Sequence, residues 1–299
     1  MTSTGTTGSR DTRTGRNNMA TIASVAGMNV LITGAAMGMG RIYAEKAVAE
    51  GAAAVVLWDI DGAALESTAA SLTAGAAATG SIVVAHVVDL SDREAITATA
   101  ARARAEVGDM DVVINNAGII RGKYFWEHDP RSDIWLTMSV NALAVMYVTR
   151  EFLPAMIAKG REARVVNVAS AAGFVSNPRM SVYCGSKWAV TGWSDSVRLE
   201  LELAGHHHVR VTTVNPTYIS TGMFGGAKSM FMTPILSPVQ VTDAVWRAMK
   251  RGSARLIMPW SVHLSNAVKG LVPLRVFDWL ALNVFGIYKS MDSFKGRPS

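Results

Sequence analysis

The chain alternates short apolar runs with longer stretches in which apolar residues recur at helical spacing. Helical patterns begin near Gly38, Asp61, Ser91, Asp133, Ser181 and Pro238. The apolar runs between them have the length and the β-branched content of strands, and they lie near Val30, Val55, Val83, Val112, Val165, Val211 and Leu256. Strands that alternate with helices are typical of a parallel sheet with helices on both faces. The pattern therefore predicts an α/β fold, a doubly wound sheet of seven parallel strands.

Polar residues follow these apolar runs at the points where the strands should end. In doubly wound sheets, ligands bind at the carboxyl ends of the strands. The residues placed there are Thr33, Asp59, Asp89, Asn115, Ser170 and Asn215. We therefore expect these scattered positions to meet at one edge of the sheet.

Composition divides the chain into a central domain and two ends. The 299 residues are 49% hydrophobic, enough for one sizeable domain, which we place at 20–258. Residues 1–19 are almost all Thr, Ser, Gly, Arg and Asn, so we expect a disordered tail without the apolar core of a secretory signal. Either Met1 or Met19 could be the native start. We treat residues 259–299 as a C-terminal extension.

The single cysteine limits the redox chemistry of the chain. Cys184 cannot form a disulfide within the chain, which is compatible with a reducing cytoplasm. Its place beside Tyr183 admits a redox role, but a small packing residue is the simpler interpretation.

The positive charge is concentrated at the C-terminal end. The net charge is +6, but residues 20–245 hold 17 basic and 20 acidic side chains, whereas residues 246–299 hold 9 basic and 2 acidic ones. The same segment is rich in aromatic residues: Trp246, Trp260, Phe277, Trp279, Phe285, Tyr288 and Phe294. No nucleic-acid motif accompanies them. Two interpretations stay open: peripheral contact with a membrane surface, or packing over a substrate pocket or subunit interface.

A glycine-rich turn follows the first strand. Residues 33–40 read Thr-Gly-Ala-Ala-Met-Gly-Met-Gly. A strand that ends in such a turn and opens a helix presents free N–H groups and a positive dipole end to a pyrophosphate. The second apolar run ends at Asp59, where an acid would bind a ribose 2′-hydroxyl and repel a 2′-phosphate. Neither Met37 nor Ile60 supplies a cation, so we expect NAD rather than NADP.

A second motif suggests proton transfer. Tyr183 and Lys187 are four residues apart, so on a helix they share one face. A neighbouring ammonium would stabilise the phenolate and lower the pKa of the tyrosine. Such spacing also arises by chance on solvated helix faces, and Ser170 upstream could simply cap a strand end.

Together these motifs resemble the short-chain dehydrogenase/reductase family over about residues 27–258. The resemblance rests on the glycine turn, on Asn115-Asn116-Ala117-Gly118, on Asn141, and on Ser170 with Tyr183 and Lys187. Trp58-Asp59-Ile60, residues 152–156, residues 169–173 and Met291-Asp292 are similar to the group containing 17-beta-hydroxysteroid dehydrogenases type 11 and 13 and retinol dehydrogenases. That group acts on lipophilic alcohols and ketones.

The resemblance implies a single Rossmann-type domain and a catalytic set. Tyr183 would be the general base or acid, Ser170 would hold the substrate oxygen, and Lys187 would bind the ribose and lower the pKa of Tyr183. Asn141 would hold a water that carries the proton onward, although it could instead be a polar residue at a helix bend, satisfied by backbone. The expected cofactor contacts are Gly34, Met37, Gly38, Met39, Gly40, Asp59, Ile60, Asp89, Leu90, Asn116, Ala117, Gly118, Tyr183, Lys187, Pro216, Thr217, Ile219 and Thr221.

The chain departs from the family after the sixth strand. The usual Pro-Gly is Pro216-Thr217, which adds a side chain where backbone passes near the nicotinamide. The next segment, 222–238, is rich in Met and Phe and carries Gly225 and Gly226 as hinges, so it could be a lid over a hydrophobic substrate or could pack on its own core.

We therefore expect an NAD-dependent dehydrogenase or ketone reductase acting on hydroxysteroid, retinoid or aryl ketone skeletons. The alternative is a non-catalytic NAD-binding module that senses redox state. We expect no metal, since His206-His207-His208 reads as a polar loop. On family grounds we expect a homodimer or homotetramer, formed through helices containing Asn141–Lys159 and Ser181–Leu203. We expect no nucleic-acid partner and a cytoplasmic location, with peripheral membrane contact left open.

Overall fold

A computed structural model describes residues 21–230 and 233–296. Seven parallel strands form one sheet in the order β3-β2-β1-β4-β5-β6-β7. They are β1 Asn29–Thr33, β2 Ala54–Asp59, β3 Ile82–Val87, β4 Val112–Asn115, β5 Ala163–Val168, β6 Val209–Pro216 and β7 Arg255–Met258. The strand order reverses direction between β1 and β4, which is the switch point where doubly wound sheets bind ligands. The predicted seven-stranded Rossmann-type fold is confirmed. The expected tail at residues 1–19 lies outside the described residues.

Helices cover both faces of the sheet. They are α1 Gly38–Ala49, α2 Gly62–Ala76, α3 Arg93–Val107, α4 Leu136–Met138, α5 Ala144–Lys159, α6 Ser181–Leu203, α7 Pro238–Lys250, α8 Ser261–Leu271 and α9 Leu274–Asn283. Side-chain N-caps determine where several of these helices begin. Asp61 and Asp92 accept N–H groups at the beginnings of α2 and α3, and Ser237 with Gln240 forms a capping box before α7.

The core lies on the two faces of the central strands. On one face, Val30, Ile32 and Leu57 pack against α1, α2 and α7. On the other, Leu31, Val56 and Trp58 pack against α3, α5 and α6. Side chains of a strand alternate between faces, so a parallel strand buried on both sides reads as a continuous apolar run. This is why the strands were visible in the sequence.

The helix predicted near Asp133 begins earlier, at Pro130. Asp129 caps it by accepting the N–H groups of Arg131 and Ser132, and Pro130 occupies its first turn. The helix continues to Lys159 with π-helical stretches at Pro130–Trp135 and Ser139–Leu143. Within the described ranges it is the one helix long and apolar enough to cross a membrane by length and composition. Its apolar residues Val148, Phe152 and Met156 belong to the core beneath the sheet.

The C-terminal extension forms two helices that pack beside the sheet edge. Val262 of α8 and Phe277 and Ala281 of α9 are buried in one cluster with Phe174 and Val175. The cluster lies next to the end of β5, the strand that leads to Ser170. The extension therefore reaches the carboxyl edge of the sheet, where the predicted site residues lie.

Candidate active site

The glycine turn after β1 forms a tight cradle. Gly38 has a φ of +59°, and a Cβ on it would meet nothing closer than Thr221, at 3.7 Å. A Cβ on Gly40 would lie 1.9 Å from the Gly34 carbonyl oxygen, so only glycine lets the turn close on itself. Met37 and Met39 flank Gly38, and the helix α1 begins there with N–H groups facing the turn. The cradle fits a pyrophosphate.

The residues that follow β4 hold this glycine turn in place. The Asn116 side chain donates to the carbonyl oxygens of Thr33, at 3.0 Å, and Gly34, at 3.2 Å. The Thr33 hydroxyl accepts the backbone N–H groups of Asn116 and Ala117. Asn116 thus holds the glycine turn, since both of its amide N–H groups donate to the protein backbone. Ala117 follows against Gly34, on which a Cβ would lie 2.9 Å from Ala117 Cα, and Gly118 lies beside Asn141 and Lys187.

Asp59 at the end of β2 also contacts the glycine turn. One carboxylate oxygen accepts Ala36 N–H at 2.9 Å, and the other accepts Asp61 N–H at 3.1 Å. Each carboxylate oxygen has a further lone pair, so the group can still accept a ribose hydroxyl. The nearby Met37 and Ile60 are apolar and reach the surface. The local chemistry fits a free ribose diol, as in NAD.

Asp89 and Leu90 lie after β3, on the adenine side of the expected cofactor site. Asp89 is exposed and its carboxylate accepts Ser91 N–H at 2.8 Å, which orders the turn. Leu90 is buried with Trp58 and Val88. An open groove runs from Asp89 toward the helix that begins at Pro130. The two residues lie at the carboxyl edge, as expected.

Tyr183 and Lys187 share one face of α6 and are both buried. The Lys187 ammonium lies 5.7 Å from the centre of the Tyr183 ring, and it donates to the Val168 carbonyl oxygen at 2.9 Å. A Cβ on Gly118 would lie 3.6 Å from this ammonium, so the lysine borders the cofactor cleft. Within the part of the chain that the structure describes, two of its three N–H donors remain available to a ribose.

The pKa values of this pair differ from the sequence-based expectation. Burial raises the pKa of the Tyr183 phenol above its ordinary value, and the Ser170 hydroxyl opposes this only in part. Burial also lowers the pKa of Lys187, to about 8. Desolvation disfavours the charged form of both groups. In the protein alone the net pKa of Tyr183 is raised, so the expected lowering of that pKa is not found.

Ser170 lies at the end of β5, against β6. Its hydroxyl donates to the Pro216 carbonyl oxygen at 3.3 Å and accepts Ala172 N–H at 3.1 Å. The latter bond caps a short 3₁₀ turn, Ala171–Gly173, as a strand-end serine would. The hydroxyl also interacts with the Tyr183 phenol and borders an apolar cavity. Its position therefore allows both capping and contact with a substrate oxygen.

Asn141 occupies the π-helical stretch Ser139–Leu143. Its side chain accepts Ile119 N–H and donates to Ile119 O, both at 2.8 Å, and donates to the Ser186 hydroxyl at 3.1 Å. These bonds use both amide N–H groups, so the side chain joins the loop after β4 to α6. This geometry favours the helix-bend interpretation. Any water contact of Asn141 would come from its main chain or from the remaining oxygen lone pair.

The segment after β6 connects the cleft to the cavity. Thr217 and Ile219 are both buried, and Ile219 packs in the core with Leu236. The side chain of Thr221 lies over Gly38 of the glycine turn. The Thr217 hydroxyl has no hydrogen-bond partner among the described residues, and it borders the cavity beside Ser170.

This cavity is largely apolar, and the C-terminal extension completes it. Ala171, Val175 and Met180 line the side next to Ser170. The extension contributes Val262, Leu264, Ser265, Phe285 and Ile287 to the cavity wall. The interpretation that the extension packs over a pocket therefore agrees with the structure. Among residues 21–230 and 233–296, no three His, Cys, Asp or Glu side chains are grouped to hold a metal ion.

The last described residues form a strap across the site. We use this name for Ser290–Gly296. The side chain of Met291 is buried against Tyr183, Tyr218 and Met180. Lys295 N–H donates to Gly225 O at 2.9 Å, and a Cβ on Gly226 would lie 2.1 Å from Ser293 O. The two glycines expected to act as hinges thus seat the strap against the loop after β6.

A buried polar network was missed in the sequence. Asn177 donates to the Tyr218 hydroxyl at 3.0 Å and to the Ser290 hydroxyl at 2.9 Å, and these two hydroxyls lie 2.7 Å apart. Its members come from three separate segments, so no local spacing could have revealed them. The network ties the strap to the cavity wall.

The sequence is similar to those of known dehydrogenases. The sequence model described as short chain dehydrogenase matches residues 28–231. Estradiol 17-beta-dehydrogenase 11 of Rattus norvegicus is 34% identical over 275 residues, covering 92% of this chain and 89% of the relative. Epidermal retinol dehydrogenase 2 of Homo sapiens is 34% identical over 273 residues, covering 91% of this chain and 86% of the relative.

Solved structures with the same fold contain either nicotinamide cofactor. A short chain dehydrogenase/reductase from Burkholderia phymatum in complex with NAD superposes with a TM-score of 0.74 at 26% identity, covering 84% of this chain and 95% of that one. A metagenomic short-chain oxidoreductase in complex with NADP superposes with a TM-score of 0.65 at 29% identity, covering 79% of this chain and 97% of that one.

Proposed function

Because the chain belongs to the short chain dehydrogenase family, we propose that it transfers a hydride between NAD and a secondary alcohol or ketone on a bulky hydrophobic skeleton. The observation that carries the proposal is that Ser170 borders an apolar cavity and interacts with the Tyr183 phenol, while Lys187, on the same face of α6, borders the cleft at Gly118. The cradle suits a dinucleotide and the cavity suits a lipophilic substrate. The proposed hydride transfer takes place between these two spaces.

Each residue of the site has a distinct role in the proposed reaction. NAD held at the glycine cradle and Asp59 would supply the hydride acceptor for the alcohol carbon. Tyr183 takes the hydroxyl proton as general base, or returns it when a ketone is reduced. Ser170 holds the substrate oxygen toward Tyr183, and its hydroxyl stabilises charge that develops on that oxygen. Lys187 supplies a positive charge and two donors beside the ribose position, while Asn141 keeps α6 and the loop after β4 in register.

The preference for NAD over NADP rests on Asp59. Its carboxylate would accept hydrogen bonds from the ribose diol and repel a 2′-phosphate. It is held in place by Ala36 N–H and Asp61 N–H. The nearest basic residue along the turn, Arg41, pairs with Glu45 on the surface of α1. The relatives described above are named as dehydrogenases of estradiol and retinol, which supports a hydroxysteroid or a retinoid as the substrate class. The apolar cavity would also admit an aryl ketone.

We further propose a homodimer or homotetramer that works in the cytoplasm, peripheral to a membrane. The support for an assembly is the exposure of Leu199 and Leu203 on α6 and of Leu143 just before α5. The support for membrane contact is the aromatic and basic content of residues 259–299.

A panel assay tests the proposal. The purified protein is mixed with NAD or NADP and with steroid, retinoid and aryl secondary alcohols, and reduced nicotinamide is measured by its absorbance. We expect turnover with NAD on at least one bulky alcohol and little with short aliphatic alcohols. Failure of the whole panel, with NAD binding measured separately by calorimetry, would instead favour the alternative of a redox-sensing module.

A further inference from the structure

A stripe of apolar side chains runs along the outer face of α8. Trp260, Leu264, Ala267 and Leu271 follow one another at spacings of four, three and four residues, which places them on one helix face. All four are exposed, Trp260 to 62% and Leu271 to 85%. The opposite face of α8 is buried through Ser261 and Val262. The stripe therefore faces away from the protein.

The neighbouring helix α9 continues this surface. Phe277 and Ala281 bury one face of α9 in the same cluster that buries Val262. The outer face carries Val276, Trp279 and Leu282, with Trp279 exposed to 60%. We call the exposed apolar residues of both helices the outer face: Trp260, Leu264, Ala267, Leu271, Val276, Trp279 and Leu282. Two adjacent tryptophan-bearing stripes make a patch that a monomer in water would not ordinarily expose.

The outer face is continuous with the substrate cavity. Leu264 belongs to both, because it is exposed on α8 and also lines the cavity with Ser265. Phe285 and Ile287, just after α9, line the same end of the cavity. A lipophilic molecule that leaves the cavity past these residues would pass along α8 and the end of α9.

The charged residues near the outer face indicate which kind of surface it contacts. From residue 259 onward, the described part of the chain holds Lys269, Arg275, Lys289 and Lys295 against Asp278 and Asp292. Asp278 is held by the Tyr288 hydroxyl at 2.6 Å, and Lys269 is held by the Phe174 carbonyl at 2.8 Å. Arg275 is exposed one helical turn before Trp279. Exposed tryptophan and leucine bordered by cations match the interface of an anionic bilayer.

We infer that the outer face of α8 and α9 lies in the headgroup region of an anionic membrane, and that the substrate enters the cavity from the lipid past Leu264 and Phe285. The route rests on the proposed lipophilic substrate, whereas the docking does not. The two helices are too short to span a bilayer, so the contact is peripheral. The sheet and its cofactor cleft stay in water.

Vesicle flotation of the full-length protein tests the docking. Trp260→Ser/Leu271→Ser removes two outer-face residues that do not line the cavity. Ile82→Ser/Val239→Ser is the matched control, because it removes two exposed apolar residues on β3 and α7. On vesicles of phosphatidylcholine and phosphatidylserine in about a 7:3 ratio, we expect the wild type and the control to float and the outer-face variant to lose about tenfold in binding.

Two outcomes would overturn the docking: equal flotation of the outer-face variant, or a wild type that stays unbound. If light scattering shows instead that this variant turns an oligomer into a monomer, the outer face is an interface between copies of the chain and the membrane assignment is wrong.

Activity measurements distinguish entry of the substrate from the lipid from membrane docking alone. With a substrate dissolved in the vesicles, the outer-face variant should be slower by about the factor lost in binding, while a water-soluble alcohol should be oxidised at the wild-type rate. Equal loss on both substrates would contradict entry from the lipid. Absence of activity in every protein, with flotation as expected, would refute the proposed enzyme and leave the docking standing.

Discussion

At the scale of single residues, burial shifts the pKa values of Tyr183 and Lys187 in opposite directions. The phenol pKa is raised and the ammonium pKa is lowered to about 8. Both shifts favour neutral groups, so the protein alone holds a neutral tyrosine ready to donate a proton. The phenolate needed for alcohol oxidation must gain its stabilisation from charges that arrive with the ligands and from protonated Lys187.

The lowered pKa of Lys187 predicts how stability depends on pH. Its pKa is 10.5 in an unfolded chain and about 8 in the folded one, so between these values the unfolded chain binds more protons. The free energy of unfolding therefore rises with pH in this window, by about 2 kcal/mol from pH 8 to pH 9.5. Denaturant unfolding of the wild type and of Lys187→Met measures it. The free energy of unfolding of the wild type should rise with pH relative to that of the variant. If the two free energies change with pH in parallel, the lowered pKa of Lys187 is contradicted.

Asp59 gives a prediction on cofactor choice. Asp59→Asn keeps an oxygen that can accept Ala36 N–H, but removes the negative charge that faces a 2′-phosphate. We expect the ratio of kcat/KM for NAD to that for NADP to fall about tenfold or more. The control is Asp61→Asn at the cap of α2, which should leave the ratio unchanged. An unchanged ratio in Asp59→Asn would contradict the assignment.

Sequence patterns predicted positions in the site better than they predicted what each side chain does there. Ser170 and Asp59 lie at the carboxyl edge because each ends a strand, and Tyr183 and Lys187 share a face because they are one turn apart. Asn141 and Asn116 are different, since their amides bind Ile119, Ser186, Thr33 and Gly34. Several of these partners are distant in sequence, so a local pattern could not indicate them.

At the scale of elements, the helix Pro130–Lys159 and the strap shape the site. The π-helical stretch Ser139–Leu143 bends the helix where Asn141 reaches the loop after β4. Such stretches often occur at functional sites. The strap closes the other side, where Phe294 lies directly on Gly122.

The contact between Phe294 and Gly122 can be tested by a double-mutant cycle. A Cβ on Gly122 would lie 2.2 Å from the Phe294 ring, so Gly122→Ala should displace the strap and lower the unfolding temperature. Adding Phe294→Ala removes the ring that an alanine at position 122 would contact. The effects of the two substitutions on the free energy of unfolding should therefore be coupled by about 1 kcal/mol or more.

The glycine control for this cycle is Gly75→Ala in α2. Nothing lies within 4 Å of a Cβ there, so the substitution should be neutral or slightly stabilising. Simple additivity of Gly122→Ala and Phe294→Ala would show that the strap does not rest on Gly122.

At the scale of the whole molecule, the regular part of the fold followed from the sequence and the C-terminal part did not. The central strands β1, β2 and β4 are apolar and buried on both faces, so each appears as a nearly uninterrupted apolar run. The helices α8 and α9 bury one narrow face and expose apolar residues on the other, which blurs the helical pattern. Their place over the cavity depends on contacts with Phe174 and Val175, far away in sequence.

The proposed assembly gives a prediction at the same scale. Leu199 and Leu203 are exposed on α6, outside the cavity and the cofactor cleft. Leu199→Lys/Leu203→Lys would place charges in an interface formed by α6, so we expect light scattering to show a monomer where the wild type is a dimer or tetramer. An unchanged mass would exclude α6 from the interface.

In the proposed reaction, Tyr183 carries the proton during hydride transfer to NAD. Tyr183→Phe keeps the ring that packs edge-on against Phe224 and removes only the hydroxyl. The most direct test compares NADH formation by this variant and the wild type on one bulky secondary alcohol, with NAD affinity measured alongside. We expect turnover to fall about 100-fold to 10,000-fold while NAD affinity is retained. Turnover at the wild-type rate would contradict it.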